Sequence, residues 1–212
     1  MLLYLVRHGE TDWNLQHRIQ GSTDIPLNAT GRAQAAATGA LLARRSWDAV
    51  LASPLSRAYE TAAIIADAVG LPAPARSADL VERNYGEAEG LTDAEIDARF
   101  PGDVPVPGRE TREQVVERVL PALMAIAESH PGQSVIVVSH GGVIRSVLNV
   151  IDPTGSHGAI RNGSVHSFSY EDGSLQLIAF DDPIEEESQE PGAEDLEEQN
   201  ELERRESARS RG

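Results

Sequence analysis

Three short apolar runs in this chain end in residues that can bind or attack phosphorus. Leu2–Val6 runs into Arg7-His8-Gly9, Asp48–Ser53 into Pro54-Leu55-Ser56-Arg57, and Ser134–Ser139 into His140-Gly141-Gly142. Guanidinium forks match phosphate oxygens in pairs. An imidazole donates when protonated and attacks when neutral. The chain has no Cys, and all 18 of its basic residues are Arg. That excludes a catalytic thiol, thiolate metal sites, a lysine Schiff base and a Gly-Lys-Ser/Thr phosphate loop. No magnesium-binding Asp pair follows a strand, so histidine is the nucleophile left for phosphoryl transfer. A departing alkoxide needs a proton. Glu82, in the loop Leu80-Val81-Glu82-Arg83-Asn84-Tyr85-Gly86, is the carboxyl group for that task if burial or a nearby anion keeps it protonated.

These residues need elements that bring them together. The three apolar runs read as buried strands, with Ser134–Ser139 central. Helices are expected over Gly31–Arg45, from Ser53-Pro54 to about Val69 with Pro54 in the first turn, and over Gly142–Ile151. Capping boxes at Thr92-x-x-Glu95 and Thr111-x-x-Gln114 start two more. In the second, Val115, Val119 and Leu123 form one apolar stripe, and Pro121 is a possible kink. Residues 7–30 and 101–109 read as loop, and 71–91 as loop with short extended pieces. Asp172-Gly173 between two alternating segments marks a hairpin. The pattern is an α/β sandwich with a mostly parallel sheet and an antiparallel edge. In such a sheet ligands sit beyond the carboxyl ends of the strands. Both histidines and both arginines leave the sheet there, glycines allow close backbone approach, and the helix after His140 offers its N–H groups to a ligand.

The net charge of −16 over 212 residues is uneven. Residues 181–212 hold 13 acids and 4 Arg, a net of −9, with few apolar residues. This stretch reads as an acidic disordered tail. Residues 1–180 suffice for one catalytic domain. The acidity argues against nucleic acid as a partner, and no apolar run is long enough to span a membrane. Arg7 interrupts the first apolar run, so no signal peptide is read and a cytoplasmic address is expected. Oligomeric state has no signature in the sequence.

Arg7-His8-Gly9-Glu10-Thr11 with Trp13-Asn14 resembles the signature of the histidine phosphatase superfamily, the phosphoglycerate mutase-like family. The likeness continues through Gln20-Gly21, Asp24-Ile25-Pro26-Leu27, Gly31-Arg32-Ala33-Gln34-Ala35, Ser53-Pro54-Leu55-Ser56-Arg57-Ala58-x-x-Thr61-Ala62, Glu82-x-x-x-Gly86-x-x-Glu89-Gly90 and Ser139-His140-Gly141-Gly142, covering about residues 2–180. It implies a three-layer α/β/α sandwich. By position it implies His8 as the nucleophile, Glu82 as acid and base, and Arg7, Arg57 and His140 as holders of the phosphoryl oxygens. The implied substrate-binding set is Arg7, His8, Gly9, Glu10, Thr11, Asn14, Gln20, Gly21, Arg57, Glu82 and Gly141, with a structural reading kept beside Glu10, as for Glu89.

No metal or other cofactor is expected, and the expected partner is a small phosphorylated metabolite. The family runs phosphatase and mutase chemistry. The short, Pro-rich, Lys-free segment 83–139 and Gln20-Gly21 favour the phosphatase, whereas the mutases carry a longer basic insertion. A cofactor-dependent phosphoglycerate mutase and a non-catalytic phospho-ligand module are the alternatives. One departure is Arg109-Glu110-Thr111, where many phosphatases of the family have Gly-Glu-Ser. Arg109 either reaches a second anionic group of the substrate or is solvated.

Overall fold

The computed structural model describes residues 1–182, so the acidic stretch beyond Asp182 lies outside the described residues. Strands β1 (Leu2–Arg7), β2 (Ala49–Ala52), β3 (Ala75–Arg76), β4 (Ser134–Ser139), β5 (Val165–Glu171) and β6 (Ser174–Ala179) form one sheet in the order β3-β2-β4-β1-β5-β6. The first four in that order are parallel, and β5 and β6 add an antiparallel edge. Helices are α1 (Asp12–Leu15), α2 (Ala29–Leu42), α3 (Ser56–Ala68), α4 (Asp93–Arg99), α5 (Arg112–Ser129) and α6 (Gly141–Ile151).

Strand side chains alternate between faces, and both faces are apolar. Leu3, Leu5, Val135 and Val137 pack against Val115 and Val119 of α5 and Ile144 and Leu148 of α6. Tyr4, Val6, Ile136 and Val138 pack on the opposite face against Leu42 of α2 and Ala58, Ala62 and Ile65 of α3. The result is the expected three-layer α/β/α sandwich with β4 in its middle. The hairpin turn has Asp172 and Gly173 both at positive φ, 50° and 78°, which suits the twist of the flanking strands.

Several boundaries differ from the sequence reading. Residues 7–30 are not all loop, because Thr11 accepts from Asn14 N and starts the single turn of α1. Helix α2 begins two residues early, capped by Asn28, whose side chain accepts from Gly31 N. It ends at Leu42, whose carbonyl accepts from Trp47 Nε1 at 2.7 Å. Pro54 is not in the first turn of α3. It precedes the Leu55 N-cap, and Asp24 Oδ1 takes the Ser56 N–H at 2.8 Å. Helix α5 continues through Pro121.

Candidate active site

The parallel register makes the site. Arg7 of β1 stands opposite Ser139 of β4, and Ala52 of β2 opposite Val138. The next residues, His8, His140 and Ser53, therefore emerge side by side at the carboxyl edge. His8 N donates to Ser139 O at 3.1 Å and Ser53 N to Val138 O at 3.0 Å. The two imidazole rings meet edge-on, 5.2 Å between centroids. Arg57 arrives from the first turn of α3.

His8 is buried, and its Nδ1 lies 2.6 Å from Gly9 O. A carbonyl can only accept, so Nδ1 carries the hydrogen and Nε2 presents its lone pair. Arg57 Nε points at that Nε2 from 3.3 Å. Burial, then the Arg57 and Arg7 guanidiniums, hold the His8 imidazolium well below the usual pKa, so the ring is neutral. Burial, followed by Arg57, His8, Arg7 and Arg118, does the same to His140. Its Nε2 is 2.8 Å from Ser53 Oγ, while its buried Nδ1 has no hydrogen-bond partner among the described residues.

The arginines are anchored by main-chain carbonyls. Arg57 donates from Nη1 to Thr23 O at 2.8 Å and from Nη2 to Gly21 O at 2.7 Å. Burial lowers its pKa to about 10 against the raising effects of Glu82, Asp24 and Glu89, and it stays charged at neutral pH. Arg7 Nη1 donates to Ile160 O at 2.6 Å. Gly141 sits over the Arg7 guanidinium, where a Cβ would lie 3.4 Å from Nε. Glu82 is buried, with Oε1 accepting from Arg83 N at 2.8 Å and Val143 N at 3.1 Å, and Oε2 from Gly142 N at 3.0 Å. The α6 N-terminus thus gives these two N–H groups to Glu82, where the sequence reading assigned its N–H groups to a ligand.

The rest of the expected binding set forms the wall behind these groups. Thr11 Oγ1 donates to Gln20 Oε1 at 2.8 Å, and Thr11 N to Asn14 Oδ1 at 3.1 Å. Asn28 Nδ2 donates to the Glu10 carboxylate at 2.7 Å, which ties Glu10 to the start of α2. Gly9 packs on α2, where a Cβ would fall 2.2 Å from Gly31 O, so its close approach is to backbone and not to an open pocket. Glu89 accepts from Ser22, Thr23 and Tyr85 main-chain N–H groups and fixes the turn at Gly21. Arg109 lies with its Cζ 5.3 Å from the Tyr85 ring centroid and borders a cavity of about 580 Å³ beside Glu82, together with Ser22, Asn84, Gln114 and Arg118.

Three residues support the site to which the sequence reading gave no role there. Asn162, in the turn that leads into the last hairpin, donates to His8 O at 2.9 Å. Thr61 takes the Gly9 N–H at 3.1 Å and donates to Arg57 O at 2.8 Å. Its place one turn after Arg57 was the available signal. Ser53 opens the family-like run through Arg57, but nothing in the sequence pointed to its bond with His140.

The histidine phosphatase superfamily (branch 1) profile matches residues 3–183. The chain belongs to this superfamily. It is 45% identical over 147 residues to the uncharacterized phosphatase PhoE of Bacillus subtilis, covering 69% of this chain and 75% of that protein. It is 36% identical over 167 residues to a 2,3-bisphosphoglycerate-dependent phosphoglycerate mutase of Methylobacterium, covering 71% and 80%. The structure of mycobacterial glucosyl-3-phosphoglycerate phosphatase with VO3 superposes at a TM-score of 0.78 with 30% identity, covering 85% of this chain and 98% of that one. This chain is a histidine phosphatase-type enzyme. Among the described residues no three His, Cys, Asp or Glu side chains are grouped to hold a metal ion, and no helix is long and apolar enough to cross a membrane.

Proposed function

We propose that residues 1–180 hydrolyse phosphate monoesters of small metabolites through a phosphohistidine on His8, with no metal ion. The observation that carries this reading is the state of His8: neutral, hydrogen on Nδ1, lone pair on Nε2, and a guanidinium beside it. Arg7, Arg57 and the His140 edge supply donors for the phosphoryl oxygens, whose charge spreads in the transition state. The buried His140 Nδ1 gains a partner when phosphate arrives.

In the first step Nε2 forms a bond to phosphorus while the bond to the leaving oxygen breaks. Glu82 gives that oxygen its proton. A phosphate dianion arriving beside the carboxyl favours its protonated form. In the second step Glu82 takes a proton from water, the water oxygen bonds to phosphorus, and the phosphorus–nitrogen electron pair returns to Nε2.

The test is hydrolysis of an aryl phosphate in excess EDTA. Turnover persists with the chelator, His8→Ala loses at least about 10⁴-fold in kcat, and acid-quenched enzyme carries an acid-labile phosphate. Loss of activity in EDTA, or turnover by His8→Ala, overturns the reading. The mutase relative sets a second comparison: interconversion of 2- and 3-phosphoglycerate faster than phosphate release would assign the site to a mutase. Binding without turnover across a wide panel of phosphate esters would assign it to a non-catalytic module.

A further inference from the structure

We propose that Arg118 and Glu110 are positioning residues that set the catalytic geometry of Glu82. The inference rests on the reading of Glu82 as proton donor and acceptor.

Glu82 follows a single 3₁₀ turn, Ala78–Leu80, and belongs to no strand. The polar groups of such a main chain need partners from elsewhere. Arg118, from the second turn of α5, supplies them. Its Nη1 donates to Asp79 O and Val81 O, each at 2.7 Å, and its Nη2 to Glu82 O at 3.2 Å. The remaining donors go to Glu110, from Nε to Oε1 at 2.8 Å and from Nη2 to Oε2 at 3.0 Å. One planar fork is therefore shared between three carbonyls of the Glu82 segment and one carboxylate.

Glu110 closes the clamp on the other side of Glu82. Its Oε2 accepts from Asn84 N at 3.1 Å, its N–H donates to Asn84 O at 2.8 Å, and its carbonyl accepts from Arg83 Nε at 2.7 Å. Burial pushes the Glu110 carboxyl up, but the Arg118 and Asn84 bonds outweigh it and hold the pKa below the usual carboxylate value. Glu110 thus stays ionised across the neutral range. Glu82 is fixed twice: its carboxylate by the N–H groups of α6, and its main chain by Arg118. A proton donor displaced by even 1 Å costs a large factor in rate. A small metabolite leaves as an alkoxide, which needs that proton far more than an aryl leaving group does.

The experiment compares kcat/KM on 4-nitrophenyl phosphate and on an alkyl phosphate such as glycerol phosphate. Arg118→Met and Glu110→Gln are each expected to lose about tenfold more on the alkyl ester than on the aryl ester, with Arg118→Lys recovering part of the difference. Glu82→Gln is the reference and shows the same selectivity at larger amplitude. Glu110→Gln keeps size and shape, so it reads the clamp even if Arg118→Met unfolds. Equal losses on both esters, or none, in the clamp variants while Glu82→Gln remains selective overturn the positioning role and leave the Glu82 reading intact. An unselective Glu82→Gln overturns the proton-donor reading and the clamp proposal with it.

Discussion

At the scale of single residues, the site depends on which atom of each ring is committed. The sequence shows His8 beside Arg7. It does not show that Gly9 O ties up Nδ1, because that bond depends on the backbone turn after β1. His140 is the sharper case. One ring nitrogen is bonded to Ser53 and the other has no protein partner among the described residues. Removing the Ser53 hydroxyl leaves both nitrogens of a buried ring unmatched, and the ring loses its orientation. Ser53→Ala is expected to lower kcat/KM by about tenfold, the equivalent of one buried hydrogen bond of about 1.4 kcal/mol. Steady-state kinetics on an aryl phosphate measures it, with the melting temperature as a control for folding. Ser53 was read as the end of a strand, the start of the next helix and part of the family-like run, and none of these marks its hydroxyl as a partner of His140.

At the scale of elements, strand ends carry the chemistry and helix packing holds them still. Most elements were legible because apolar periodicity and caps are local, as at Thr92, Thr111 and the Asp172-Gly173 hairpin. The single turn of α1 is too short for periodicity. The α6 N–H groups could not be assigned to Glu82 from sequence, because donor and acceptor stand 60 residues apart. The loop after β1 is pressed onto α2 through two facing glycines, Gly9 and Gly31. The added methyl of Gly9→Ala would lie 2.2 Å from a helix carbonyl. A helix backbone cannot give way as a flexible side chain does. The substitution is expected to cost about 2 kcal/mol or more in stability and to depress turnover by shifting His8. Denaturant unfolding and kcat of the same preparation check both effects.

At the scale of the whole molecule, burial of neutral imidazoles makes stability depend on pH. His166 is fully buried, donates from Nε2 to Ser164 Oγ and accepts from Asp181 N at Nδ1. Burial first, then Arg145 and His157, push its pKa down to about 3. The unfolded chain binds that proton near pH 6.5 and the folded chain does not until about pH 3. Stability therefore rises with pH across this window and is lost as pH falls through it, by about 1.4 kcal/mol per pH unit for one such group. His8 and His140 act in the same direction. Chemical denaturation between pH 6 and 4 is expected to show a slope that falls by about 1.4 kcal/mol per pH unit in His166→Gln. An unchanged slope would mean that His166 takes its proton in the folded state.

The sequence by itself determined the chemistry available: no thiol and no lysine, with histidine and arginine placed after apolar runs. It also determined the α/β layering, because strand and helix periodicities are local properties of the chain. Only the tertiary structure decided how those residues work. The parallel register levels three strand ends that are distant in sequence, and burial sets the protonation of both histidines. The Arg118–Glu110 clamp and the Gly9–Gly31 contact belong to the same class. Each joins atoms that no local pattern relates, and each exists only once the sheet has brought them to one edge.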